Sequence, residues 1–223
     1  MGRVPVAVRG VNGQTIPGRL ISLEGGEGAG KSTQVGRLTE MLAARGIHAI
    51  VTREPGGTEG AEAIRSLLME GGVNRWSAHS EALLFAAARA DHVEKKIRPA
   101  LGAGHWVICD RFIDSSRAYQ GVAGGIDDAA VLALHGFGAR GLLPDRTLIL
   151  EIPIEEGRAR AARRDGAAAD RFAARGDGFH TDVAAAFRRF AETEPDRCRL
   201  IDAAANPDAV AAAILAQLAD LLP

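Results

Sequence analysis

The chain has 223 residues, of which 47% are hydrophobic and 25% are charged, and its 27 basic residues almost balance its 28 acidic ones. This composition is typical of folded globular proteins and excludes a chain that is disordered along its whole length. The net charge of -1 produces no overall electric field that would attract nucleic acid. Because there are only two cysteines, no signal segment and no apolar run of about 18 residues, we predict a cytoplasmic protein with no membrane partner.

Residues 1–18 contain two prolines and four glycines in no helical period, which predicts a mobile N-terminal extension. Residues 19–223 are predicted to form a single domain in which short apolar runs alternate with segments of helical spacing. The predicted strands cover 20–23, 47–51, 106–109, 147–152 and 198–201, and the predicted helices cover 31–45, 59–70, 77–102, 127–138, 155–164, 179–192 and 206–221. Strands separated by helices indicate an α/β fold with a five-stranded parallel sheet flanked by helices.

The segment between the first predicted strand and the first predicted helix matches the phosphate-loop pattern G-x-x-x-x-G-K-[ST]. In such a loop, backbone N–H groups surround phosphate oxygens, and the following helix adds the partial positive charge of its N-terminus. Lys31 is expected to be an exposed loop residue that bridges the outer phosphates of ATP, and Ser32 is expected to bind Mg²⁺. The motif therefore indicates a P-loop NTPase-like three-layer fold. The predicted ATP-binding residues are Gly25, Gly26, Glu27, Gly28, Ala29, Gly30, Lys31 and Ser32.

A phosphate loop is common to GTPases, to ATPases coupled to transport or mechanical work, and to small kinases. The chain contains neither the Asn-Lys-x-Asp element of guanine specificity nor an Asp-x-x-Gly switch after a strand, and it is short for a work-coupled ATPase. It does contain further arginines that could hold a second anion, which favours a kinase acting on a phosphorylated acceptor.

Three clusters carry the prediction of an acceptor site. They are T-R-E-P-G-G-T at 52–58 after the second strand, F-A-A-A-R at 85–89 on the long helix, and D-R-F-I-D-S-S-R-A-Y-Q at 110–120 after the third strand. Because the carboxyl ends of parallel strands line the ligand crevice, the first and third clusters are expected beside the phosphate loop. Phe85 and Arg89 are four residues apart and therefore share one helix face.

Together with the phosphate loop, these clusters resemble the bacterial thymidylate kinases, in particular the group whose catalytic arginines come from a flap. The likeness runs from about residue 19 to about residue 202. It implies an enzyme that transfers the γ-phosphoryl group of MgATP to dTMP, giving dTDP and ADP for dTTP synthesis. It also implies a homodimer, for which the Ala- and Leu-rich faces of the 77–102 helix are the candidate contacts.

The resemblance assigns roles around the transferred phosphoryl group. Arg53 and Arg111 would hold the acceptor phosphate, and Asp110 would lie near the Mg²⁺ bound by Ser32. The residues alone leave alternatives open. Asp110 could cap the next helix, and Arg53 could form a surface ion pair with Glu54.

The resemblance also assigns the nucleoside contacts of dTMP. Phe85 would stack on thymine, Arg89 would donate to a thymine carbonyl, and Ser116 would contact the N3 edge of the base. Glu27 would bind the sugar 3′-hydroxyl, and Tyr119 would occupy the place of a ribose 2′-hydroxyl. The alternatives are that Phe85 belongs to the core and that Arg89 pairs on the surface with an acidic neighbour, either Glu81 or Asp91.

Residues 157–177 contain six arginines and almost no large apolar side chain, which predicts an exposed, movable flap. Some relatives place an arginine inside the phosphate loop, where this chain has Gly28. The transition-state cation is therefore expected from Arg160, Arg163 or Arg164. Relatives commonly have Asp-Arg-x-Glu at the end of the flap, whereas residues 170–173 here are Asp-Arg-Phe-Ala.

Two other functions remain open from the sequence. One is a nucleoside monophosphate kinase with another acceptor, such as dUMP, AMP or CMP. The other is a regulator that binds ATP without catalysing transfer. The acceptor preference and phosphoryl transfer itself distinguish these possibilities.

Overall fold

The computed structural model describes residues 18–165, 172 and 175–223, without the side chains of 164 and 165. Residues 1–17 of the predicted extension and residues 166–171, 173 and 174 of the predicted flap lie outside the described residues. Gly18 lies against the chain that precedes the third strand, since a Cβ at Gly18 would be 2.4 Å from the carbonyl oxygen of Leu101.

The predicted α/β architecture is confirmed by a five-stranded, all-parallel sheet with strand order β2-β3-β1-β4-β5. The strands are β1 (Leu20–Gly25), β2 (Ala49–Arg53), β3 (Trp106–Asp110), β4 (Arg146–Glu151) and β5 (Cys198–Asp202). The register aligns Asp110 with Leu23 on one side and with Arg53 on the other, so β2 and β3 end level and β1 continues to Gly25. Every residue of the central strand β1 is buried, as expected for a parallel sheet that is covered on both faces.

The described helices are α1 (Lys31–Ala43), α2 (Glu59–Met69), α3 (Ala78–His92), α4 (Arg98–Gly102), α5 (Ile113–Ser116), α6 (Asp128–Gly138), α7 (Ile154–Asp165), α8 (Asp177–Thr193) and α9 (Pro207–Ala216). Side-chain caps fix the starts of three helices: Thr58 accepts from the Ala61 N–H, Ser77 from the Ser80 N–H, and Asn206 from the Ala209 N–H. Among these described elements, none is long and apolar enough to cross a membrane.

Two helical segments differ from the sequence prediction. The predicted helix 77–102 is interrupted by a π-helical segment, Val93–Ile97, between α3 and α4. Residues 113–122, for which no helix was predicted, form α5 and a second π-helical segment, Arg117–Val122. Their serines and glycine weaken helical propensity, and burial against the rest of the fold compensates for this: five of the six residues of the second π segment are buried.

Apolar side chains on both faces of the sheet form the core. One cluster joins the sheet to α1 and α9, with Leu38 and Ile214 at its centre. A second cluster lies on the opposite face beneath α3, α4 and α6, and it includes Phe112 and Val131. The core thus anchors the strands so that their carboxyl ends present loops to one shared crevice.

Candidate active site

A cavity of about 610 Å³ opens at the carboxyl ends of β1, β2 and β3. It brings the phosphate loop and all three acceptor clusters together, although they are far apart in the chain. The residues that line it and were predicted for the site are Glu27, Gly28, Ala29, Gly30, Lys31, Ser32, Arg53, Phe85, Arg89, Asp110, Arg111, Ser116 and Tyr119. The lining residues to which the sequence assigned no individual binding role are Glu54, Pro55, Arg65, Met69, Phe112, Ser115, Gln120 and Phe172.

The phosphate loop has the backbone conformation that an anion site requires. Gly30 is the N-cap of α1 and has a φ of 87°, a conformation that side-chain-bearing residues rarely adopt. Gly25 and Gly28 also have positive φ angles, of 131° and 67°. Alternating conformations of this kind direct successive N–H groups to one point, and the N-terminus of α1 adds its dipole there.

The expectation that Lys31 is exposed is wrong, because its side chain is only 9% exposed. Its Nζ donates to the carbonyl oxygens of Gly25 (3.1 Å) and Gly26 (2.8 Å). Burial, with a further contribution from the neighbouring Arg111, lowers the pKa of Lys31 to about 7. An arriving phosphate would favour the charged form of this lysine.

Ser32 and Asp110 lie together at the mouth of the cavity, where the Ser32 hydroxyl donates to Asp110 Oδ2 over 3.1 Å. The alternative of Asp110 as a helix cap is not observed, because α5 begins after Phe112 without a side-chain cap. Hydroxyl and carboxylate oxygens are hard ligands, and Mg²⁺ in nucleotide sites commonly takes one or two such ligands together with water and phosphate oxygens. The two side chains therefore fit a Mg²⁺ site.

Arg111 is held in a strained turn directly after β3. Its φ of 70° lies in the left-handed region, which costs energy for a residue with a side chain. Its Nη1 donates to the carbonyl oxygen of Gly25 (3.2 Å) and to Ser115 Oγ (3.1 Å), and its guanidinium lies 5.1 Å from the centre of the Tyr119 ring. Since Gly25 also accepts from Lys31, one carbonyl holds both cations at the boundary between the phosphate loop and the acceptor clusters.

Glu24 bonds to two residues that line the cavity, Phe112 and Ser115, and the sequence did not predict this role. It is fully buried, and its carboxylate accepts from the Phe112 N–H (2.7 Å) and from Ser115 Oγ (2.6 Å). Burial raises the pKa of Glu24 to about 7, and the nearby Asp114 adds to this. The available signal was a carboxylate near the end of a mostly apolar strand, immediately before the glycines of the loop.

Arg89 forms neither of the surface pairs considered for it. It is 3% exposed, and its Nε donates to Glu54 Oε2 over 2.7 Å. Its Nη2 donates to Ser116 Oγ (2.9 Å) and to the Phe112 carbonyl oxygen (3.2 Å). The second oxygen of Glu54 contacts His92 Nδ1 at 3.1 Å. A guanidinium can only donate hydrogen bonds, so Arg89 is suited to a ligand that presents an acceptor.

Phe85 belongs partly to the core and partly to the cavity. It is half-buried against the cluster around α8 and the second π segment, and it also lines the cavity. The ring of Phe172 packs edge-on at 5.8 Å from Phe85 and at 6.3 Å from Tyr119. Phe172 is buried although it lies within the segment predicted to be an exposed flap. Three aromatic rings therefore form one wall of the cavity.

Arg53 does not pair with Glu54. It is half-exposed and forms an ion pair with Glu62 at 2.9 Å, near the entrance of the cavity. Backbone donation from Gly57 and the charge of Arg53 lower the pKa of Glu62. An exposed pair of this kind contributes little to stability, so Arg53 can exchange its partner for an anionic ligand at small cost.

Helix α7, the described first part of the flap, lies directly on the phosphate loop. A Cβ at Gly28 would be 2.0 Å from the carbonyl oxygen of Gly157, and a Cβ at Gly157 would be 2.6 Å from that of Glu27. Arg160 forms an ion pair with Glu156 and donates to the Ala203 carbonyl oxygen at 3.2 Å. Arg163 is exposed. The side chain of Arg164 and the whole of Arg171 lie outside the described residues.

This arrangement joins a phosphate loop to a second, arginine-rich and aromatic-lined half of the same cavity. A family model for thymidylate kinase matches residues 23–214. The chain belongs to the thymidylate kinase family.

Individual members of the thymidylate kinase family agree with this assignment. The chain is 56% identical over 208 residues to the thymidylate kinase of Rhizorhabdus wittichii, which covers 93% of this chain and 100% of that protein. It is 53% identical over 197 residues to the thymidylate kinase of Caulobacter vibrioides, with 88% and 94% covered. The crystal structure of thymidylate kinase from Ehrlichia chaffeensis matches with a TM-score of 0.72 at 32% identity, covering 91% of this chain and 100% of that one. The predicted family and P-loop NTPase-like fold are thereby confirmed.

Proposed function

We propose that the chain transfers the γ-phosphoryl group of ATP to dTMP, giving ADP and dTDP. The observation that carries this proposal is the single cavity shared by the phosphate loop and the acceptor clusters at 52–58, 85–89 and 110–120. Membership of the thymidylate kinase family supports the same reaction.

The donor half of the cavity binds ATP. The N–H groups of residues 25–32 surround the β- and γ-phosphates, and Lys31 bridges the outer phosphates. Ser32 and Asp110 hold Mg²⁺, which when bound neutralises charge on the phosphates. The contact between these two side chains, over 3.1 Å, supports a shared metal site.

The acceptor half binds dTMP through groups of complementary chemistry. Phe85 stacks on thymine, and Arg89 donates to a thymine carbonyl beside Ser116. Cytosine presents an amino donor where thymine presents a carbonyl acceptor, so a donor-only arginine discriminates against it. Glu27 binds the 3′-hydroxyl, and the buried Tyr119 closes the space that a ribose 2′-hydroxyl would need.

The reaction requires positioning and charge stabilisation more than proton transfer. The phosphate of dTMP is already anionic near pH 7, so it needs no general base. Arg53 and Arg111 place it in line with the γ-phosphoryl group, and Lys31 lies beside Arg111 at the Gly25 carbonyl. A flap arginine, Arg160, Arg163 or Arg164, supplies the remaining positive charge in the transition state.

Coupled measurement of ADP release against a panel of nucleoside monophosphates tests the proposal. We expect dTMP to give the highest kcat/KM among dTMP, dUMP, AMP, CMP and GMP. A higher value for AMP or CMP would assign a different acceptor, and ATP binding without transfer to any acceptor would favour the regulator. Either outcome contradicts the proposed function.

Assembly and location are further proposals that the family resemblance supports. The chain forms a homodimer in the cytoplasm, through the helix face that carries Leu83, a side chain 55% exposed on α3. It has no nucleic-acid or membrane partner, in keeping with its net charge of -1. Residues 19–223 form a single domain.

A further inference from the structure

The buried carboxylate of Glu24 has both of its described hydrogen bonds on one turn. Oε1 accepts from the backbone N–H of Phe112 at 2.7 Å, and Oε2 accepts from the hydroxyl of Ser115 at 2.6 Å. Both contacts connect the end of β1 to the turn that follows β3, and they span 88 and 91 residues of sequence.

Both hydrogen-bond partners of Glu24, Phe112 and Ser115, are directly connected to Arg111. Phe112 follows it directly in the chain. The Ser115 hydroxyl has a single proton, which it donates to Glu24, so its oxygen is left to accept from Arg111 Nη1 at 3.1 Å. The left-handed φ of 70° at Arg111 persists only where the surroundings enforce it.

We propose that Glu24 is a positioning residue for Arg111: through the Phe112 amide and the Ser115 hydroxyl, it fixes the turn and the guanidinium that receive the acceptor phosphate. A buried carboxylate is costly in a strand end that an apolar side chain could fill. The hydrogen bonds that offset this cost are made next to Arg111, the cation of the acceptor site. The inference rests on the proposed function, because it takes Arg111 to be the phosphate-binding arginine.

Titration calorimetry with two probes separates positioning from general support of the fold. The probes are dTMP and thymidine, which share base and sugar and differ only in the phosphate. The variants are Glu24→Gln and Ser115→Ala, and Ser22→Ala is the matched control. Ser22 lies on the same strand, is equally buried, and bonds to Thr147 Oγ1 at 3.0 Å, away from Arg111.

We expect both test variants to raise the Kd of dTMP at least about fivefold while the Kd of thymidine stays within about twofold. We also expect kcat to fall by about 10- to 100-fold, since a displaced acceptor phosphate loses in-line geometry. Parallel loss of both probes, or unchanged dTMP binding, would overturn the proposal. If Glu24→Gln does not fold, Ser115→Ala alone decides between these outcomes.

A double variant tests whether Glu24 acts through Arg111. Adding Glu24→Gln to Arg111→Ala should weaken dTMP binding by less than about threefold beyond Arg111→Ala alone, because the group being positioned is already absent. Full additivity would overturn the proposal. The affinities of the parent protein for dTMP and thymidine test the proposed function separately. If it binds dTMP no more tightly than thymidine, the role of Arg111 in the proposed function fails, and this inference fails with it.

Discussion

At the scale of single residues, the site is built from charged groups that are buried and yet partnered. Arg89 and Glu54 form an ion pair in which both side chains are 4% exposed. Lys31 and Arg111 share the carbonyl oxygen of Gly25. Such groups lose hydration when buried, so they are already placed and partly desolvated before a phosphate arrives.

Replacing Lys31 by methionine tests its role with little change in volume. We expect kcat to fall by about a hundredfold or more, because the charge acts on the transferred phosphoryl group. Stability should be maintained, since methionine has no charge to desolvate. Steady-state kinetics and thermal unfolding provide the two measurements. Lys95→Met, at an exposed lysine on the first π segment, is the control, and a near-normal kcat for Lys31→Met would contradict the assignment.

Replacing Phe85 by alanine removes the predicted stacking surface. Stacking of a base on an aromatic ring contributes about 1–3 kcal/mol, so the KM for dTMP should rise by roughly 5- to 150-fold. The KM for ATP should change little. Leu143→Ala, at a side chain 44% exposed and outside the cavity lining, controls for the loss of an apolar group. An unchanged KM for dTMP would indicate that Phe85 is only a core residue and does not stack on the base.

At the scale of elements, α7 and the phosphate loop meet backbone to backbone through two glycines. The contact of Gly28 with the Gly157 carbonyl leaves no room for a side chain at position 28. An arginine in the phosphate loop and this close approach of α7 are therefore sterically incompatible. Because Gly157 contacts the loop, Arg160 and Arg163 lie on the helix that packs against the phosphate-binding segment.

Alanine substitutions at Arg160, Arg163 and Arg164, made one at a time, should identify the catalytic cation. Arginine-finger groups contribute about 10³–10⁵ in kcat, so one variant should lose at least a factor of about 100 while ATP binding changes little. Steady-state kcat and the Kd of ATP are the measurements.

Arg189→Ala, at an exposed arginine of α8, is the control for this series. If all three variants keep kcat within about threefold of the parent, the cation comes from elsewhere, and Arg171 and Arg53 become the next residues to test.

At the scale of the whole molecule, stability should decrease in mild acid because of a histidine that stays neutral in the fold. His135 on α6 is 3% exposed, and its Nε2 donates to the Leu142 carbonyl oxygen at 2.7 Å. Burial lowers the pKa of His135 to about 4, and the charge of Arg89 adds to this. Between pH 6.5, the ordinary value, and pH 4, the unfolded chain takes up a proton that the fold does not, so the fold loses stability as the pH falls.

Urea unfolding of the parent and of His135→Gln across pH 7 to pH 4 measures this effect. The free energy of unfolding of the parent should decrease relative to the variant, by up to about 3 kcal/mol at the acid end. His79→Gln, at an exposed histidine, should follow the parent. A pH-independent difference between the parent and His135→Gln would contradict the prediction.

Features that depend on neighbours along the chain could be predicted from the sequence. The alternation of apolar runs with segments of helical spacing was sufficient to predict five parallel strands separated by helices. Both patterns can be recognised from residues that are close together in the chain. The phosphate loop was evident for the same reason, since its glycines, lysine and serine are contiguous. The clusters at 52–58 and 110–120 could be placed beside it because parallel strands end at one edge of a sheet.

The hydrogen-bond and ion-pair partners of these groups could be seen only in the folded chain. Glu24 contacts Ser115 across 91 residues, and Arg89 contacts Glu54 across 35. Such contacts depend on strand order and register, which no local pattern specifies. The burial of Lys31 and the helix at 113–122 also follow from packing, which overrides the expectation of an exposed loop and weak helical propensity. The sequence thus predicted where the site lies, and the tertiary structure determined how its charges are held.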